Sequence, residues 1–154
     1  MVVFNGSCSV AVLEAKDLKP TEWSARFNLT ASSGGKGPLL DPYVNVDLDD
    51  ECHLGQTQTK PKTLTPQWNE TFCTEVHNGK VLGFTVFHDC AIPPDDFVAN
   101  CRIAFDHLDK ELNDLWIDLE PSGRLHVRIE LHGTTMEGRG QYENNIMGLL
   151  WAAI

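Results

Sequence analysis

Positive charge is scarce in this chain. Twelve Lys and Arg face 22 Asp and Glu, a net charge of −10. Nucleic-acid binding over a whole surface needs a basic face, so that class of function is excluded. Any contact with an anionic membrane must come from a local patch acting against the global field. Long apolar runs are missing too. None reaches the roughly 18 residues a spanning helix needs, and the longest, Ile146 to Ile154, is far shorter. Met1 to Gly6 carries no basic or long apolar stretch, so no secretory signal is expected. The five cysteines (Cys8, Cys52, Cys73, Cys90 and Cys101) are odd in number and form no C-x-x-C pair. Reduced thiols in an intracellular compartment are the expectation.

Catalytic motifs are absent as well. There is no G-x-S-x-G elbow, H-E-x-x-H helix or Walker loop. Gly34-Gly35-Lys36-Gly37 precedes an expected strand, so it cannot set a helix N-terminus against phosphate. Asp96-Phe97-Val98 only half resembles D-F-G, and no V-A-I-K or H-R-D accompanies it. The chain is therefore expected to be non-catalytic. Cys52-His53 and His88-Asp89-Cys90 offer possible zinc ligands, but their spacing matches no common structural zinc pattern.

What the sequence does have is a period of two. Val44, Val46 and Leu48 alternate with Asn45, Asp47 and Asp49; Leu125, Val127, Ile129 and Leu131 alternate with His126, Arg128, Glu130 and His132. Leu82, Phe84 and Val86 share a face, as do Trp68, Phe72 and Val76. Each run reads as a strand with one buried and one wet face. Strands are expected near 2–13, 42–49, 53–60, 67–76, 80–88, 98–105, 114–119 and 123–132, with at most one short helix, in 105–112. Turn chemistry separates them at Leu64-Thr65-Pro66, His77-Asn78-Gly79, Ile92-Pro93-Pro94-Asp95 and Glu120-Pro121-Ser122-Gly123. Eight short strands at this spacing predict an all-β, antiparallel, eight-stranded sandwich with long connecting loops. Residues 14–40 form a long insertion, of the kind that is usually functional or disordered. The sandwich is expected to fill 1–133, leaving 134–154 as a disordered tail.

Two motifs carry a resemblance. Leu40-Asp41-Pro42-Tyr43-Val44 is followed, about 20 residues on, by Lys62-Thr63-Leu64-Thr65-Pro66-Gln67-Trp68-Asn69-Glu70-Thr71-Phe72. In this order they resemble a C2 domain. Glu14 to Ser24, Leu54 to Lys60, Val86 to Asp89, Asp96 to Cys101 and Trp116 to Pro121 are further similar to the calcium-independent, novel protein kinase C isozymes of the epsilon/eta type. The resemblance implies a C2-type sandwich acting as a membrane-targeting and regulatory module ahead of C1 and kinase domains that are not in this chain.

It also bears on calcium. Asp41, Asp89, Asp95 and Asp96 stand at strand ends where loops would converge. In calcium-binding relatives the third loop supplies carboxylates where this chain has His88 and Cys90, neither a hard oxygen donor. No calcium or other cofactor is expected.

For lipid, residues 14–40 are the least acidic stretch. Lys16, Lys19, Arg26 and Lys36 outnumber Glu14, Asp17 and Glu22, and Trp23 lies among them. Ile92 stands on the opposing loop. Loop-tip aromatics and aliphatics are how a sandwich dips into lipid. At the turn bearing His53 the resemblance implies a basic lipid contact. The expected lipid-binding residues are thus Trp23, Arg26, His53 and Ile92. The partner is an acidic phospholipid membrane (phosphatidic acid or phosphatidylserine), met reversibly from the cytoplasm. The resemblance also implies a second role, docking to an anchoring or scaffold protein or to the rest of the kinase, through Glu14, Leu18, Lys19, Thr21, His88 and Asp89.

Overall fold

The alternating segments form eight strands in the computed structural model, which describes residues 2–27, 37–109 and 111–137, the side chains of Arg26 and Phe27 excepted. The strands are β1 (Val2–Lys16), β2 (Pro42–Leu48), β3 (Cys52–Gln56), β4 (Gln67–Gly79), β5 (Val81–His88), β6 (Asp96–Ala104), β7 (Leu112–Asp118) and β8 (Arg124–Glu137). They make two four-stranded sheets, ordered β4-β1-β8-β7 and β3-β2-β5-β6, and every pairing is antiparallel. One short helix, α1 (Glu22–Phe27), and one 3₁₀ turn (Phe105–His107) complete the elements among the described residues. The helix lies in the insertion; the expected helix at 105–112 is only that turn.

The core is the meeting of the two inner faces. Val10, Val12, Val127 and Ile129 face Val44, Val46, Phe84 and Val86, and all eight are fully buried. Two irregularities override simple alternation. Between Val12 and Glu14, β1 carries one residue more than β8, since Val12 pairs with Val127 and Glu14 with His126; the β1–β4 register shifts there too, next to Asn69 with φ 53°. A bulge of this kind reverses which face the following residue takes. Ala15 therefore points in, and Glu14 is left partly exposed. A second shift, between Val86 and Phe87, does the same for β6.

β8 runs past the expected end. Thr134 to Glu137 pair with Asn5, Phe4, Val3 and Val2, so these four residues belong to the sheet rather than to a tail. The extension is possible because Gly6 and Gly133 lie across from each other, where a Cβ on either would strike the facing backbone. The rest of the expected tail, 138–154, lies outside the described residues.

The two motifs meet in space. The Trp68 indole N–H donates to the Pro42 carbonyl (3.1 Å), and the Lys62 amide donates to Asp41 Oδ1 (2.7 Å). Glu70 accepts from the Gln58 amide (2.8 Å). Phe72 packs over Gly55, whose missing Cβ leaves room for the ring. The motif residues thus pin the first loop to the start of β2 and join the sheets at one edge.

Candidate functional site

Pro42 pairs with His88 and His88 with Asp96, so the starts of β2 and β6 and the end of β5 share one end of the sandwich. Lys16 pairs with Arg124 at the same end of the other sheet. Four connections meet at this rim: the described parts of 17–41, and 57–66, 89–95 and 119–123.

Thr21 starts α1. Its Oγ1 accepts from the Ser24 amide (3.0 Å), and its carbonyl accepts from the Ala25 amide (2.9 Å) and the Ser24 hydroxyl (2.9 Å). This is an N-cap. It fixes Trp23, one residue into the helix and 42% exposed. Across from it, Ile92 tips the 89–95 loop and is 66% exposed. That loop is closed by Asp95, which accepts from the Cys90 amide (3.0 Å) and from the Tyr43 hydroxyl (2.6 Å). Trp23 and Ile92 come together with His88, Cys90 and Ala91 around a small cleft of about 120 Å³. The structure thus unites two of the four expected lipid contacts. Arg26 is in α1, but its side chain lies outside the described residues.

His53 is not at this site. It pairs with Asp47 in the β2–β3 hairpin, its Nδ1 3.4 Å from Asp47 Oδ1. Asp47 is five residue steps along β2 from Pro42, which puts His53 about 17 Å from the rim. The hairpin turns at the opposite end of the sandwich, among Asp47, Asp49, Asp50 and Glu51.

The expected docking residues are mostly committed inside the molecule. Leu18 (3% exposed) and His88 (8%) are buried, so neither side chain presents a docking surface. Leu18 packs against Gly123, and His88 Nδ1 accepts from the Asp41 amide (2.9 Å). Thr21 is the helix cap. Glu14 Oε2 lies 3.1 Å from His126 Nδ1. Lys19 and Asp89 are exposed, with Asp89 accepting from the Thr59 hydroxyl (2.8 Å).

The rim carboxylates are occupied by the protein itself. Asp41, Asp89 and Asp95 accept the bonds given above. Asp96 Oδ2 is buried with no hydrogen-bond partner. Burial pushes the Cys90 thiol above its ordinary pKa, against the opposing pull of an Asp96 backbone hydrogen bond and with the neighbouring carboxylates adding to the rise. Among the described residues, the His, Cys, Asp and Glu side chains that converge closely enough for an ion are Glu111, Glu130 and His132. They lie about 20 Å or more down β8 from the rim. The tyrosine hydroxyl of Tyr43 is held protonated by burial and by its bond to Asp95.

Carboxylates outnumber cations at both ends of the sandwich, but the described cations concentrate at the rim, among Asp17, Glu22, Asp41, Asp89, Asp95, Asp96, Asp118 and Glu120. Among described side chains, Lys16, Lys19, Lys60, Lys62 and Arg124 lie at the rim end, leaving Lys80, Arg102 and Arg128 for the rest. Lys60 and Lys62 are placed there by their amide bonds to the Pro42 carbonyl and Asp41. The opposite end carries Asp47, Asp49, Asp50 and Glu51. Sequence reasoning missed Phe97, which is 46% exposed on β6 beside this rim. No disulfide joins the cysteines, and burial raises the thiols of Cys8 and Cys101 to about 12, with the Cys73 thiol adding to the shift at Cys8. No helix among the described residues is long and apolar enough to cross a membrane.

The chain is 54% identical over 138 residues to protein kinase C-like 1B of Caenorhabditis elegans, covering 88% of this chain and 19% of that protein. It is 44% identical over 153 residues to protein kinase C epsilon type of Oryctolagus cuniculus, covering 95% and 20%. It thus spans about one fifth of these relatives. Among solved structures, the calcium-bound pair of C2 domains of extended-synaptotagmin 2 superposes with a TM-score of 0.67 at 26% identity, over 86% of this chain and 48% of that one. The C2 domain model matches residues 6–119, which include both motifs and the rim they build. Sandwich, motifs and match agree, and the chain belongs to the C2 domain family.

Proposed function

We propose that this C2 domain is a non-catalytic, calcium-independent targeting module. It docks reversibly on acidic phospholipid, phosphatidic acid or phosphatidylserine, and serves as a regulatory unit of a novel-type protein kinase C in the cytoplasm. The observation that carries the reading is the Trp23–Ile92 pair: two exposed apolar side chains around one cleft, at the end of the sandwich that holds most of its described cations.

The energies suit weak, reversible docking. Burying one Trp and one Ile is worth about 3–5 kcal/mol at 25 cal/mol per Å². Each Lys or Arg near an anionic leaflet adds about 1 kcal/mol. A single site of this strength needs a second anchor for stable residence, which fits a module within a larger protein. Calcium independence is supported by the rim's chemistry. A calcium ion takes six to eight oxygens. Here three rim carboxylates are engaged by protein donors, a ring nitrogen that already accepts from the Asp41 amide and a thiol stand at two further positions, and Asp96 Oδ2 is one oxygen without a hydrogen-bond partner.

The test is sedimentation with phosphatidylserine or phosphatidic acid vesicles. Binding is expected to fall with added salt and with Trp23→Ala. Binding to an anchoring protein with no response to vesicles would instead favour the docking role.

A further inference from the structure

Five large hydrophobic side chains are exposed among the described residues: Trp23, Ile92, Phe97, Leu112 and Met136. Two belong to the cleft already described. Phe97 is next to it, because Asp96 pairs with His88, a lining residue of that cleft. Phe97 is not on a loop. It is the second residue of β6 and stands on the outer face of the β3-β2-β5-β6 sheet.

Its ring is braced. It meets Phe87 edge-on, with centroids 6.5 Å apart and planes at 83°. Phe87 in turn stacks on Tyr43 at 5.7 Å and 25°. Tyr43 holds Asp95, which closes the loop that carries Ile92. One set of contacts therefore links the Phe97 ring to the loop that carries Ile92, and the braced ring has less side-chain freedom to lose on binding.

We propose that the domain docks tilted, with the outer face of the β3-β2-β5-β6 sheet turned toward an anionic bilayer, and that Phe97 is a third apolar anchor entering the interfacial layer. This rests on the reading of the rim as the membrane-facing end. The occupant is lipid because Phe97 continues the apolar tip formed by Trp23 and Ile92, and because a chain of net −10 meets an anionic surface with least repulsion at its less acidic end, where five of the eight described Lys and Arg side chains offset part of the rim carboxylates. The same pattern limits the tilt. Asp47, Asp49, Asp50 and Glu51 occupy the far end of the same sheet, so the face cannot lie flat. Only its first aromatic row reaches the headgroups, where aromatic rings are favoured.

The experiment compares partition onto phosphatidylserine vesicles for the unaltered chain, Phe97→Ala, Phe97→Trp, Ile92→Ala and Leu112→Ala, with the melting temperature of each. Phe97→Ala is expected to bind about tenfold more weakly, since about half a phenyl surface leaves water at interfacial depth. Phe97→Trp should bind at least as well as the unaltered chain, and Leu112→Ala should be unchanged. If Ile92→Ala weakens binding and Phe97→Ala does not, the tilt is overturned while the rim reading stands. If Phe97→Trp loses binding as Phe97→Ala does, the ring acts through folding and the proposal is overturned. If the unaltered chain ignores the vesicles, the rim reading itself fails.

Discussion

Ile92→Ala separates folding from targeting. Ile92 is 66% exposed at the tip of the 89–95 loop, so its side chain does little for the core. The loop's shape is set elsewhere, by Asp95 accepting from the Cys90 amide and the Tyr43 hydroxyl. Truncation should therefore change stability by less than about 0.5 kcal/mol, as surface substitutions usually do. Membrane binding is different. The change removes three carbons that would be buried in lipid, worth about 2 kcal/mol, or roughly 30-fold in partition. The assay is vesicle sedimentation across a range of lipid concentrations, paired with thermal melting. Leu112→Ala is the control: Leu112 is 52% exposed, but on β7 opposite Glu130, away from the rim. The reasoning is refuted if Ile92→Ala binds like the unaltered chain, or if both variants lose binding equally.

Three further outcomes follow from the packing and the charge network. Gly55→Val should destabilise by about 1–3 kcal/mol, because any Cβ there meets the Phe72 ring; urea unfolding reads this directly. Asp41→Ala should cost about 1–2 kcal/mol by leaving the Lys62 amide without its acceptor, and vesicle binding should show no new dependence on calcium. His126 sits between Glu14 and Asp114, at 3.1 and 2.5 Å, and stacks on Trp116. Burial opposes its protonation, but the two carboxylates outweigh burial and hold its pKa above the ordinary value. The stability it contributes is complete below about pH 6.5 and is lost as pH rises through the raised folded value. Melting temperature should therefore fall between about pH 6 and 8 in the unaltered chain, and by less in His126→Gln.

Much of the fold was legible in the sequence because it rests on alternation. Val44, Val46 and Leu48, and Leu125 to Leu131, face the core as their spacing implies. Where alternation misled, a bulge is the reason. The inward run Cys8, Val10, Val12 would carry Glu14 into the core, but the extra residue of β1 opposite Val127–His126 turns it out to meet His126. Likewise Ala99, Cys101 and Ile103 face inward, and a strict period of two would bury Phe97. The shift opposite Val86–Phe87 exposes it instead. Trp23 and Ile92 were readable as loop-tip residues, yet nothing in the sequence places them around one cleft. That needs the Thr21 cap and the Asp95 clamp. His53 is grouped with Trp23 and Ile92 on the resemblance alone, and the sequence does not reveal that its hairpin lies at the other end of the sandwich. Leu18 and His88 enter the docking set through the resemblance alone; in the fold Leu18 packs against Gly123 and His88 accepts from the Asp41 amide, and both are buried.

The central claim is that this rim reaches lipid through apolar and cationic side chains without a bound divalent ion. The most direct measurement is the binding isotherm on phosphatidylserine vesicles with added calcium and with a calcium chelator. The account predicts that the two isotherms superpose. Binding that appears only with calcium would contradict it.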